Sequence, residues 1–291
     1  MILAIGEILI DSFMSLDTTT THIGGAPFNV AVQAKRSGAK VGFIGRVGQD
    51  DNGDYIIKNA KKYGLDYLDI SPLRGVATTV AEVALDKCGE RHFRFFRDNT
   101  ADYQFDIDGV DIGFCSPTIL HIGTLMLGKE MGRRFASHLL EEAKKCGVKI
   151  SIDVNFRDDL FENTNERNQT FKPFVDNADF LKMGLDEIID YTGENNLENA
   201  VKKLAPNGAL FVTDGDKGSF VFLGDKSVFI PSKKVNAIDT TGAGDAYWGC
   251  TLAHLDKLLE KDIDPALDHL QSITQKANLA GAQAVTRMGA I

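Results

Sequence analysis

Residues 239–245 read DTTGAGD, with two carboxylates bracketing a pair of threonines and three small residues. An apolar stretch, YWGCTLAHLDKLL, starts at Tyr247. If that stretch is a helix, GAGD lies at its amino end, where unpaired backbone N–H groups and the positive end of the helix dipole point outward. Gly242, Ala243 and Gly244 leave those amides open to a phosphate, or to the charge that develops on a transferring phosphoryl group. Asp245 does not suit an anion site by charge. A carboxylate there makes chemical sense as the acceptor of the proton from a hydroxyl that attacks phosphorus. The motif therefore pairs a base with an anion hole. It is not a Walker loop, since GxxxxGK[ST] occurs nowhere in the chain.

A second cluster lies near the amino end, in GGAPFNVAVQAKRSGAKVGFIGRVGQDDNG at 24–53. Gly24 and Gly25 let the backbone approach a polyhydroxyl ligand, and Asn29 offers both a donor and an acceptor. The six histidines show no H-E-x-x-H or similar ligand spacing, so none is assigned a metal.

These residues need a scaffold, and the hydropathy pattern predicts one. Short apolar runs at 119–123, 148–155, 179–184 and 208–215 read as buried strands, with helical patterns at 129–146, 185–203, 243–260 and 264–286. Strand–helix alternation implies a parallel sheet covered on both faces, with ligands at the carboxyl ends of its strands. Two segments break the rhythm. TTVAEVALD (78–86) and RHFRFFRD (91–98), joined by KCGE, read as a hairpin, and an extended piece runs from about Asp11 to Gly25 through the polar run DTTTTH.

Composition narrows the function. The chain has 291 residues, enough for one large α/β domain with a small lobe, and a formal charge of −9. The broad positive field that binding to a phosphate backbone requires is missing, so nucleic acid is not an expected partner. Cys88, Cys115, Cys146 and Cys250 form no CxxC pair, which suggests neither a zinc site nor a disulfide framework and fits a reducing cytoplasm. The amino end, MILAIGEILIDSF, meets Glu7 and Asp11 early and lacks a basic flank, which argues against a signal peptide. No apolar run reaches membrane-spanning length.

The full DTTGAGD string closely resembles the second signature of the ribokinase, or phosphofructokinase-B-type, carbohydrate kinase family. Residues 24–53 resemble the first, ending in GRVGQDDNG. The resemblance covers essentially the whole chain. It implies one kinase domain over 1–291, a three-layer αβα sandwich with a mostly parallel sheet, and a small β-lid formed by about 11–25 and 76–98. FRFFRDNTAD (93–102), LHIGTLML, DVNFRDDLF and LKMGLDE look most like fructokinases within the family.

By that resemblance Asp245 is the base and Gly242, Ala243 and Gly244 the anion hole, while Asp11, Gly24, Gly25, Asn29, Arg97, Asn155 and Arg157 bind the sugar, Arg97 reaching it from the lid. Lys182, Thr213 and Gly215 would meet the phosphates or ribose of ATP, and Asn278 would lie beside the base. Glu187 would organise magnesium through water, as in the family's N-x-x-E motif, although Gly184 stands where that motif has Asn. Asp239 and Thr241, with AVTRMGAI at the carboxy end, resemble the family's monovalent-cation site. Because relatives usually run on past that point, only modest stimulation by potassium is expected.

The function these features imply is phosphorylation of fructose to fructose 6-phosphate with ATP and magnesium, in a cytoplasmic enzyme that pairs into a homodimer through the lid. Ribokinase, 2-keto-3-deoxygluconate kinase and aminoimidazole-riboside kinase are the alternatives within the family. Outside it, a non-catalytic sugar or nucleotide sensor on the same scaffold is disfavoured by the presence of both Asp245 and the small residues before it. A dinucleotide-dependent oxidoreductase would need G-x-G-x-x-G after the first strand, which IGEILID lacks.

Overall fold

Strand β1 (Ile2–Ile5) has no solvent exposure at any of its four residues, as expected of a strand buried on both faces. It lies inside a nine-stranded sheet. The computed structural model describes residues 1–14, 19–85, 91–110 and 112–291. Asp17 and Thr18 of the polar run, and the KCGE turn with Cys88, lie outside the described residues.

In chain order the large sheet takes β1, β4 (Val41–Gly48), β5 (Tyr67–Leu73), β8 (Ile119–Ile122), β9 (Lys149–Asp153), β10 (Phe180–Gly184), β11 (Ala209–Asp214), β12 (Gly218–Leu223) and β13 (Lys226–Pro231). Their spatial order is 13-12-11-10-9-8-1-4-5. From β11 through β5 the pairings are parallel, and β12 and β13 add an antiparallel edge. Alternate side chains feed two cores. Ile2, Ala4 and Phe211 face one core, which contains α1 (Ala26–Arg36), α2 (Asp51–Ala60), α7 (Ala243–Leu259) and α8 (Leu267–Ala284). Leu3, Ile5 and Leu210 face the other, against α3 (Glu130–Cys146) and α4 (Thr164–Asn177). This is the expected αβα sandwich.

A separate four-stranded sheet contains the β-rich segments that broke the rhythm. Its order is β3 (Thr19–Gly24), β2 (Leu9–Met14), β6 (Val80–Leu85), β7 (Arg91–Phe96). The piece predicted as one extended segment near Asp11 is two antiparallel strands, and β2 then pairs in parallel with β6. One helix expectation also changes. The pattern at 185–203 folds as α5 (Leu185–Thr192) and α6 (Leu197–Leu204), because Gly193 takes a left-handed φ of 67° and closes the first helix.

The last layer places the DTTGAGD motif. Helix α7 is buried along Ala246–Ala253 and packs most closely on α1 at Gly249, where a Cβ would lie 2.6 Å from the Val30 carbonyl oxygen and 2.7 Å from Gln33 Cβ. Gly249→Ala should therefore cost about 1–3 kcal/mol in overpacking, because neither helix backbone can yield independently. Urea unfolding measures this, and a wild-type midpoint would contradict the close approach.

Candidate active site

The carboxyl ends of β1, β8, β9 and β10 open into a cavity of about 620 Å³, bounded on another side by Leu9 and Ala81 of the small sheet. Helix α7 enters from below. Gly242 caps it with φ 76°, and a Cβ at that position would lie 2.5 Å from Ala290 Cβ, so both conformation and space call for glycine. Gly242, Gly244 and Asp245 line the cavity. Asp245 touches the cavity yet is surrounded by protein, and its carboxylate accepts a 2.8 Å hydrogen bond from Asn29 Nδ2. Burial pushes its pKa up to about 6. Asn29, Lys182 and Arg157 oppose that rise, while Asp153 adds to it. A carboxyl poised near that value can take a proton at neutral pH.

Asp11 lines the same cavity. Burial, followed by the charge of Asp245, raises it to about 7. Gly24 is what admits its carboxyl group, since a Cβ there would lie 2.0 Å from Asp11 Oδ2. Gly25 caps α1 with φ 111° and lies so close to the chain that a Cβ would sit 2.4 Å from the Glu7 carbonyl oxygen. Gly25 and Asn29 reach the cavity, but Gly24 lies behind Asp11. The side-chain oxygen of Asn29 is buried with no partner among the described residues.

Asn155 and Arg157 follow β9 and line the same cavity. Asn155 has φ 46°, a left-handed conformation that asparagine tolerates, and its Oδ1 accepts from Arg157 Nη1 at 3.0 Å. Lys182 projects from β10, also into this cavity, where its Nζ contacts both Asp153 carboxylate oxygens at 2.8 Å. Burial works against its charge, but Asp153, Glu187 and Asp245 outweigh that and hold its pKa above the ordinary value.

A second cavity of about 430 Å³ lies on the other side of the α7 amino terminus, and the two meet at Thr240 and Gly244. Thr213, Gly215, Ala243 and Asn278 line it. Ser219 donates to Asn278 Oδ1 at 2.7 Å, and Asn278 Nδ2 donates to the Ile230 carbonyl at 3.0 Å, which orients the amide.

Four predicted site residues stand outside both cavities: Gly24, behind Asp11, and Arg97, Glu187 and Asp239. Arg97 is buried and gives its Nε to Asp102 Oδ2 at 2.7 Å. Glu187 accepts from the backbone N–H of Phe156 at 2.9 Å and of Gly184 at 2.6 Å, bracing the start of α5. Asp239 accepts from the amides of Thr241 at 2.9 Å and Gly289 at 3.0 Å, and so ties the 239–241 turn to the carboxy-terminal residues. Thr241 itself reaches the larger cavity. Among the described residues no three or more His, Cys, Asp or Glu gather as a metal cage.

Sequence reasoning missed Glu7, Asp153 and Ser219. An acid next to an otherwise apolar strand run, as in ILAIGE and KISID, is a usable signal for the first two. Ser219 had none, because its partner is 59 residues away.

The pfkB family carbohydrate kinase profile matches residues 3–291. Probable fructokinase-2 of Arabidopsis thaliana is 31% identical over 306 residues, covering 100% of this chain and 92% of that protein. A fructokinase double mutant from Vibrio cholerae O395, in fructose-, ADP- and potassium-bound form, superposes with a TM-score of 0.89 at 27% identity, covering 99% of this chain and 93% of its own. Fructokinase from Xylella fastidiosa with bound ATP gives 0.87 at 28% identity, covering 99% and 93%.

The raised carboxyls predict how stability depends on pH. Burial pushes Glu7 to about 8 and Asp11 to about 7, so the folded state holds those protons more tightly than the unfolded chain, and stability is lost as pH rises through these values. Buried His121, lowered to about 3, acts in the opposite direction only below the ordinary histidine value of 6.5. The urea midpoint of the ligand-free protein should therefore fall as pH rises from about 5 to 8, and Asp11→Asn should flatten the part of that fall below about pH 7 and gain on the order of 1 kcal/mol at the alkaline end. An unchanged slope in the variant would remove Asp11 as its source.

Proposed function

We propose, for a chain that belongs to the pfkB family of carbohydrate kinases, that a sugar occupies the larger cavity and ATP the smaller, and that the γ-phosphoryl group passes between them at the amino terminus of α7. The substrate we assign is fructose and the product fructose 6-phosphate. The observation that carries this reading is the position of Asp245, where the cavities approach one another beside the amides of Gly242 and Gly244, while the Ala243 amide donates to the Thr240 carbonyl at 3.3 Å.

Asp245 takes the proton from the attacking hydroxyl, and Asn29 fixes the orientation of its carboxylate. The amides of Gly242 and Gly244 stabilise the charge that develops on the phosphoryl oxygens. Lys182, held charged by Asp153, presents a cation at the same point, which favours a phosphate contact from the sugar side. Asp11, Gly25, Asn29, Asn155 and Arg157 orient the sugar, with Gly24 seating Asp11 and Arg97 anchoring the lid. Thr213, Gly215 and Asn278 receive the nucleotide. Magnesium would be held by the nucleotide phosphates, without a protein cage among the described residues, and Glu187, whose two carboxylate oxygens accept from Phe156 and Gly184, would reach it only through water. Magnesium bound this way supplies charge neutralisation on the phosphates. A potassium ion fits the 239–241 turn through carbonyl oxygens, since Asp239 spends both carboxylate oxygens on backbone amides.

Cavity charge favours a neutral sugar over a sugar acid. Asp153, Asp159 and Asp245 outnumber Lys182 and Arg157 in the lining of the larger cavity, Lys182 is already paired, and burial keeps Glu7 protonated and Asp11 partly so near neutral pH. The carboxylate of 2-keto-3-deoxygluconate would enter against that excess, whereas a ketohexose offers only hydroxyls. The same reading places the enzyme in the cytoplasm. There the described cysteines Cys146 and Cys250 stay reduced, as they are here, and two copies pair through the lid sheet. No helix among the described residues is long and apolar enough to cross a membrane.

A coupled ADP-release assay over fructose, ribose, 2-keto-3-deoxygluconate and nucleosides tests the assignment, with fructose expected to give the highest kcat/KM. Asp245→Asn should lower kcat by roughly 10²- to 10⁴-fold while calorimetric sugar affinity changes little. Because only the ionised base works, wild-type kcat/KM for the sugar should fall as pH drops through about 6. Near-wild-type turnover in the Asn variant would take Asp245 out of the chemistry.

A further inference from the structure

Residues 155–159 follow β9 and alternate in what they face. Asn155, Arg157 and Asp159 line the larger cavity, whereas Phe156 and Asp158, the residues between them, both meet Arg167 of α4. The Arg167 guanidinium lies 3.9 Å from the centre of the Phe156 ring, its Nη1 donates to Asp158 Oδ1, and its Nη2 donates to Asp190 Oδ2 in α5. Asn168 Oδ1 accepts from its Nε and Nη2 at 3.1 and 2.9 Å. Arg167 is 2% exposed, and each nitrogen of its fork has a partner, as a buried arginine requires.

The loop depends on anchors of this kind. Asn155 holds a left-handed φ of 46°, and the next backbone N–H, that of Phe156, leaves the strand ladder and donates to Glu187 of α5 at 2.9 Å. Phe156 is therefore held twice: through its amide by α5, and through its ring by Arg167, which Asp190 ties to the same helix. A planar cation suits this place, because one face covers the ring while the edge reaches carboxylates on two separate elements. An ammonium group, a compact point charge, cannot do both together.

Resting on the sugar-kinase reading above, we propose that Arg167 is a positioning residue for the sugar site: by gripping Phe156 and Asp158 from behind, it sets Asn155, Arg157 and Asp159 in the geometry that meets the sugar. Arg167 itself lines neither cavity. None of Phe156, Asp158, Asn168 and Asp190 lines the smaller cavity, so loss of the grip bears on the sugar and spares ATP.

Steady-state kinetics of Arg167→Lys, Arg167→Gln, Phe156→Leu and the Phe156→Leu/Arg167→Gln double variant test this. Each Arg167 variant should raise the fructose KM by roughly tenfold with the ATP KM within about twofold, lysine included, because it keeps the charge without the planar fork. Phe156→Leu should show the same split, and the double variant should be no worse than the poorer single one. A wild-type fructose KM in either Arg167 variant, equal rises in both KM values, or additive losses would overturn the proposal. Amide hydrogen exchange of the ligand-free proteins separates a local grip from general stability. In Arg167→Gln the Phe156 amide should exchange at least about tenfold faster while the β9 amides keep their wild-type protection; unchanged exchange at Phe156, or equal loosening of β9, overturns the grip. If Arg167→Gln does not fold, Asp158→Ala decides instead, since it removes only an exposed carboxylate. There the fructose KM should rise about threefold, the modest effect of losing one exposed partner, and a wild-type value overturns the proposal. A wild-type protein that phosphorylates no sugar defeats the kinase reading alone, since the exchange comparison still tests the grip.

Discussion

Lys182 and Asp153 are register partners on adjacent parallel strands, and their ion pair, buried on both sides, is the fixed charge around which the other ionisable groups are arranged. Such a pair gains little net stability, because desolvation offsets most of the attraction. Its value here is positional. Asp153 compensates Lys182, so a cation stays inside the molecule beside the α7 amino terminus, with its Nζ 3.4 Å from where a Cβ on Gly244 would be. The same two groups act on Asp245 with opposite signs, Asp153 raising its pKa and Lys182 lowering it.

Beneath that pair, a polar network makes the floor rigid. Ser151 lies one strand position pair before Asp153, and its hydroxyl meets both Trp248 Nε1 at 3.1 Å and His121 Nδ1 at 3.0 Å. Trp248 is fully buried on α7 and packs edge-on against Phe211 at 5.3 Å. The helix carrying Asp245 is therefore pinned by a side chain three residues further on, through hydrogen bonding to one strand and ring packing on another. Preorganised donors at its amino end need that rigidity, since amides that must reorganise during reaction lose their advantage.

The ligand-free site is in turn electrostatically unfavourable. Glu7, Asp11 and Asp245 all carry raised pKa values, with burial as the first cause in each. A fold optimised for stability alone would not gather them at one end of a sheet. Carboxyl groups that await hydroxyl donors are costly until a ligand supplies them, which is a common trade-off between stability and function.

The architecture was legible in local pattern alone, and so were many of the residues that line the two cavities. Apolar runs of strand length separated by helical periods specify a covered parallel sheet because burial on two faces leaves no other pattern, and a small-residue string before an apolar helix can serve an anion whatever surrounds it. Asp245, Asn29, Asp11 and Lys182 were legible in this way, from local motifs and the resemblance they carry. Tertiary structure decided the partners. Asn29 meets Asp245 across 216 residues, Lys182 meets Asp153 across 29, and Arg97 turns to Asp102 instead of lining the larger cavity. Glu7 looked like an incidental acid after the first strand, and only the neighbouring ends of β1 and β8 bring it against the cavity wall. These contacts depend on which strand ends lie side by side, and the order 10-9-8-1-4 follows from packing across the whole chain, which no local period encodes.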